Sequence, residues 1–154
     1  MKFISNLKKT NHKSVILELL EWAEKCILCT SFLDGEGVKH LSKSISYGIK
    51  NRDLKITVYS NGEKDYTKSS GITALSGLVK IGLRHKVTSG KRRLHSKIYY
   101  FENANQFIAV IGSANITHNG LVKNIEFSTK VLGIIGSPEH KVIYDNLLLL
   151  DDEC

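Results

Sequence analysis

Proline is nearly missing from this chain: Pro138 is the one example in 154 residues. No low-complexity stretch and no internal repeat is present either. No linker is therefore predicted, and residues 1–154 read as a single domain. No apolar run reaches the roughly 18 residues needed to cross a bilayer, so no membrane association through a span is expected. Met1–Lys9 is basic but lacks an apolar core, which predicts no signal peptide. Cysteine is scarce and odd in number: Cys26, Cys29 and Cys154. With no secretory signal, this implies a reduced, cytoplasmic chain. Cys26-x-x-Cys29 has no second ligand pair for zinc. On a strand its two sulfurs face opposite sides, so both are predicted to be core residues. Clustered carboxylates of the kind a metal nuclease needs are also missing. Glu139-His140-Lys141 imitates a Glu-x-Lys fragment, but inside a predicted helix with no acidic partner strand.

What the chain does have is an excess of base. Lys and Arg number 22 against 15 Asp and Glu, for a net charge of +7. Such a balance favours polyanionic partners: DNA, RNA or an anionic surface. The apolar fraction (42%) and charged fraction (24%) are those of a globular chain with a core.

Val15, Ile16, Leu19, Leu20 and Trp22 recur at helical spacing within Ser14–Lys25, with Asn11 or Ser14 as the cap. Cys26–Phe32 is a short apolar run that suits a buried strand. Val38, Leu41, Ile45 and Ile49 mark a second helix. Leu54–Ser60 reads as a strand ending at Asn61-Gly62, Ile72–Ile81 as a third helix, and Leu83–Thr88 as a strand. Strands are predicted over Leu94–Phe101 and Phe107–Ile111, joined by a tight hairpin at Glu102–Gln106. A helical turn at Thr117–Leu121, a strand over Ile125–Leu132 and a last helix from Ser137 through Leu150 complete the pattern. The alternation implies an α/β domain: a mixed, mainly parallel sheet with helices on both faces.

Three short segments carry groups suited to phosphate chemistry. In Leu94-His95-Ser96-Lys97 the strand period puts His95 and Lys97 on one face, about 6.6 Å apart along it. An imidazole nucleophile beside an ammonium makes an anion-handling pair, although an amphipathic strand with a wet face would look the same. In Gly112-Ser113-Ala114-Asn115 the glycine allows close backbone approach. Ser113 and Asn115 offer a hydroxyl and amide donors. A strand-ending turn with a helix cap is the plainer reading. Glu126 lies opposite the apolar face Ile125, Phe127, Thr129 and Val131, where its carboxylate could fix an imidazole tautomer.

Order and spacing join the three. His-x-Lys is followed within about twenty residues by Gly-Ser-x-Asn, and a glutamate stands eleven residues after the Asn. This pattern resembles the phospholipase D superfamily, in particular its short single-motif bacterial nucleases and the nuclease domains of restriction enzymes. The resemblance implies a metal-independent phosphodiesterase with no cofactor. In it His95 attacks phosphorus to form a phosphohistidine. Lys97 and Asn115 neutralise the equatorial oxygens, Ser113 bonds within the site and Glu126 orients His95. The family's motif aspartate falls on Glu102, which keeps the carboxylate one methylene longer and is implied to support local structure. The motif occurs once, so the resemblance also implies a homodimer with one shared active site.

Lys91-Arg92-Arg93 precede the motif and suit a polynucleotide backbone. With the small size and single motif they favour a nuclease, with DNA as the preferred substrate. Tyr99 and Tyr100 are candidates for base stacking, although core packing accounts for them equally. His118, just after Gly-Ser-Ala-Asn, reads as an exposed loop histidine. Two other functions compete: a phospholipase-type phosphodiesterase, which calls for an apolar docking surface not visible in the sequence, and a non-catalytic nucleic-acid-binding module of the same fold, which should have lost His95 or Lys97.

Overall fold

The computed structural model describes residues 2–154. A seven-stranded sheet is built from β1 (Lys2–Ser5), β2 (Lys25–Thr30), β3 (Lys55–Ser60), β4 (Arg84–Val87), β5 (Ile98–Asn103), β6 (Gln106–Gly112) and β7 (Phe127–Ile134). Its spatial order is β1-β7-β6-β5-β2-β3-β4. The helices are α1 (His12–Trp22), α2 (Gly35–Arg52), α3 (Ser69–Val79) and α4 (Pro138–Leu148). A single π-turn covers Asn119–Lys123, and a 3-10 turn, Leu149–Glu153, follows α4.

The strand faces divide the core in two. Cys26, Leu28, Ile56, Val58, Tyr99, Phe101 and Val110 point to one side, where α1 covers them with Val15, Ile16, Leu19 and Leu20, and α2 and α3 with Val38, Leu41, Ile45, Leu75 and Leu78. Ile27, Cys29, Tyr59, Tyr100, Phe107 and Ala109 point to the other, beneath Ile143, Tyr144 and Leu147 of α4. Each Leu, Ile, Val or Phe among them contributes about 1.5–3 kcal/mol by leaving water. β2 is buried at five of its six positions because it has sheet neighbours on both edges and helices on both faces, which explains its unbroken apolar run. Asn11 caps α1 in a reciprocal box with Ser14, and Ser137 caps α4 ahead of Pro138.

The mixed sheet with helices on both faces is as the sequence predicts, but its parallel share is smaller. Only β2–β3 and β3–β4 pair in parallel, and the other four pairings are antiparallel. After β4 the chain no longer returns through crossover helices. It makes a β5–β6 hairpin, and the short excursion around the π-turn brings β7 back antiparallel to β6. β1 is absent from the sequence expectation: four residues at the sheet edge, of which only Ile4 is buried, give no periodic signal. The strand expected from Leu94 begins only at Ile98, and the strand expected from Ile125 begins at Phe127. His95, Lys97 and Glu126 therefore stand on the approaches to strands rather than within them. Cys26 and Cys29 are buried on opposite faces, as expected, and burial pushes both thiols well above their ordinary range.

Candidate active site

Sheet register gathers the motif residues at one end. Cys29 pairs with Ile98, Ile98 with Ile111, and Gly112 with Ser128. The end of β2, the approach to β5, the end of β6 and the approach to β7 therefore lie side by side. The site sits beyond the carboxyl ends of the parallel strands, where open α/β sheets place their ligands.

Gly112 makes the closest of these approaches possible. A Cβ there would stand 2.1 Å from Ser128 Oγ and 2.3 Å from the Phe127 carbonyl oxygen. The Tyr99 hydroxyl, fully buried, donates to the Ala114 carbonyl at 2.5 Å and fixes the next turn. Ser113 then donates to a carboxylate oxygen of Glu126 and accepts from the Phe127 N–H at 3.2 Å. Asn124 donates to the other Glu126 oxygen at 3.4 Å. The Asn115 carbonyl oxygen accepts from the Phe32 N–H at 2.9 Å and the Thr30 hydroxyl at 3.4 Å. That orientation leaves the Asn115 amide hydrogens free to donate to a ligand. Lys97 curls back to donate to the His95 carbonyl at 2.9 Å. Burial lowers the Lys97 ammonium from its usual range, while the nearby Glu126 carboxylate opposes the shift. The His95 ring is exposed and makes no side-chain hydrogen bond among the described residues.

Beneath these groups lies a polar network that sequence reasoning missed. His12 is fully buried. Its Nδ1 lies 2.8 Å from Asn6 Oδ1, and its Nε2 lies 2.8 Å from Ser128 Oγ. The Asn6 amide donates to the Gly120 and Asn124 carbonyls at 2.9 and 3.1 Å, so its oxygen must face His12. Nδ1 then carries the proton and Nε2 accepts from Ser128. Burial lowers the His12 pKa, in keeping with a neutral ring, while the Glu126 carboxylate opposes the shift. The network ties α1 to the segment that carries Glu126. Only a lone polar residue at the start of an apolar helix could have signalled it.

Other sequence candidates fall elsewhere. Glu102 lies toward the opposite end of β5, where it accepts from the Tyr100 hydroxyl at 2.6 Å and pairs with Lys25 at 3.7 Å. It supports the sheet. Tyr99 and Tyr100 are buried in the core and cannot stack on bases. Arg92 pairs with Glu153 at 2.8 Å, and Arg93 forms a bidentate pair with Glu63. Among the described residues Lys91 has no ion pair and is exposed. His118 is exposed, its Nδ1 lying 2.9 Å from His40 Nε2. His140 is buried in the α4 core against Tyr100, Phe107 and Tyr144. One partly apolar concavity, which Arg92, Arg93, Asn146 and Glu153 also line, lies on the α4 side of the sheet. This cavity of about 600 Å³ beside His95 is walled by Leu94, Ile98, Ile111, Val142 and Leu147, which come from segments far apart in the chain.

A family model described as "Cardiolipin synthase, PLD-like domain" matches residues 16–133, a span that includes all three motif segments. The chain belongs to the phospholipase D-like family. Solved structures of this fold align with it over 99% of its length. Nuc from Salmonella typhimurium, a phospholipase D family member, superposes with a TM-score of 0.72 at 18% identity over 91% of that chain. NucT from Helicobacter pylori gives 0.65 at 13% identity over 93% of that chain. Polyphosphate kinase from Porphyromonas gingivalis gives 0.70 at 11% identity, with the match confined to 26% of that chain. No curated protein matches the chain. The phospholipase D-like fold thus accounts for the open mixed sheet. No helix among the described residues is long and apolar enough to cross a membrane.

Proposed function

We propose that this phospholipase D-like chain is a metal-independent phosphodiesterase of the nuclease type, a single catalytic domain that cleaves DNA in the cytoplasm. The observation that carries the reading is the convergence of His95, Lys97, Ser113, Asn115 and Glu126 at one end of the sheet, with the Asn115 amide turned outward by Phe32 and Thr30. His95 attacks phosphorus and forms a phosphohistidine as the leaving oxygen departs. Water then attacks the phosphohistidine, and the imidazole is released. Lys97 and Asn115 donate to the non-bridging oxygens, where charge builds in the transition state. Attack and departure occur on opposite sides of phosphorus, so one histidine cannot serve both. A second copy of the chain supplies the other across a two-fold axis: its His95 protonates the leaving oxygen and then takes a proton from the water that attacks the phosphohistidine. The exposed Ile125, Phe127 and Phe3 beside the site give such a copy an apolar surface to cover.

The test is incubation with plasmid, single-stranded DNA and RNA in excess chelator. Cleavage is expected to persist, and His95→Ala is expected to abolish it without lowering the melting temperature. Activity that vanishes in chelator and returns with magnesium, or wild-type turnover by His95→Ala, overturns the reading. A second reading, a phospholipase-type phosphodiesterase, is favoured by the partly apolar cavity beside His95. It predicts hydrolysis of phospholipid vesicles under the same conditions and none of nucleic acid.

A further inference from the structure

At the end of β2 the chain exposes Phe32, and the loop after β3 lays Tyr66 against it. Their ring centroids are 4.4 Å apart with planes inclined by 23°. Backbone bonds fix the pair: the Leu33 N–H donates to the Tyr66 carbonyl at 3.1 Å and the Lys68 N–H to the Leu33 carbonyl at 2.9 Å. The Arg93 guanidinium, two residues before His95, lies over the Tyr66 ring at 5.3 Å, locked there by both oxygens of Glu63. The Phe32 N–H is the group that orients Asn115, so this ring adjoins the phosphate-handling groups. Phe32 belongs to neither core cluster and keeps 37% of its surface exposed.

We propose that the Phe32–Tyr66 pair is a base-stacking platform for an unpaired nucleobase next to the phosphate held by His95, Lys97 and Asn115, which makes the substrate a single-stranded nucleic acid. The inference rests on the nuclease reading above and narrows its substrate. A base inside a duplex has both faces covered by its neighbours, whereas a single strand can lay a free face on an aromatic ring. Exposed Lys64 and Lys68 flank Tyr66 in sequence and meet the phosphates on either side of such a base. Stacking accepts any base, so the platform confers a strand preference without a sequence preference.

Binding of three labelled DNAs by a His95→Ala chain, which leaves them uncut, tests the platform. The three are a short single strand, the same strand with abasic sites, and its duplex. The intact single strand is expected to bind on the order of ten- to a hundredfold more tightly than the abasic strand, and more tightly than the duplex. Adding Phe32→Leu should collapse the base-dependent difference. The Asn115 contact runs through the Phe32 backbone and survives that change, and an unchanged melting temperature certifies the fold. Should Phe32→Leu fail to fold, the base-to-abasic ratio of the parent decides alone. Equal binding of intact and abasic strands, a ratio that survives Phe32→Leu, or no binding of any strand overturns the platform. Cleavage by the unmutated chain is scored separately. Strands cut but bound without regard to bases sink the platform and spare the nuclease. Base-dependent binding with no cleavage of any strand does the reverse.

Discussion

His12 and His85 are both held neutral by burial, the second with its Nε2 2.7 Å from the Ser60 hydroxyl. Their folded pKa values lie below the unfolded value near 6.5, so the unfolded chain binds protons first as pH falls. The stability they contribute is complete above about pH 6.5 and is lost as pH falls through the folded values. The lowered carboxylates, Glu63 beside Arg93 and Asp151 beside Lys86, add their own loss only at more acid pH. Denaturant titrations at pH 7.5 and 5.5 should show the drop, and the double change His12→Gln with His85→Gln should flatten it. An unchanged pH slope in that variant refutes the assignment. Backbone strain yields a second expectation. Asn103 pairs with Gln106, leaving a two-residue turn in which Ala104 sits at φ 50. Left-handed backbone is costly for alanine and free for glycine. Ala104→Gly should stabilise the fold by about 0.5–1 kcal/mol, read as a higher denaturation midpoint at unchanged m-value.

The approach to β5 carries most of the charge assigned to substrate binding, and its ion pairs change what each residue can do. Arg92 and Arg93 are already balanced by Glu153 and Glu63, while Lys91 is not. Neutralising all three should weaken nucleic-acid binding and flatten its salt dependence, each lost phosphate contact removing roughly 0.7–0.9 from the slope of log K against log salt. Lys91→Ala alone should account for the largest single share. An unchanged slope in the triple variant places the binding surface elsewhere. Elements whose apolar residues recur at a fixed period were legible in the sequence: α1, α2, β2 and β3 lie within a few residues of their expected places. The candidate site residues were picked out by an order and spacing that resemble the phospholipase D superfamily, and the sheet register gathers their segments at one end. The edge strand β1, the His12 network and the Phe32–Tyr66 pair were not legible. Each is completed by a partner more than 30 residues away: β7 for β1, Ser128 for the His12 that Asn6 also holds, and Tyr66 for Phe32.

For the whole molecule, the decisive quantity is the number of chains per site. If two His95 residues face each other across one phosphate, mixing wild-type chains with an excess of His95→Ala chains should remove nearly all full turnover, because most wild-type chains then sit in mixed pairs. Activity proportional to total wild-type chain, or a monomer by sedimentation at working concentration, excludes the shared site. The pairing of β1 with β7 has a further consequence, for the time at which activity can arise. Lys2 lies opposite Lys130 and Ser5 opposite Phe127, and the site itself joins segments around residues 30, 95, 113 and 126. Apart from the β5–β6 hairpin, little of this can form from neighbouring chain. Long loops must close before their contacts repay the lost entropy, which favours slow, concerted folding. A growing polypeptide therefore carries His95 for some thirty residues of synthesis before its Glu126 exists, and this end of the sheet stays unbuilt until the β7 segment has been made.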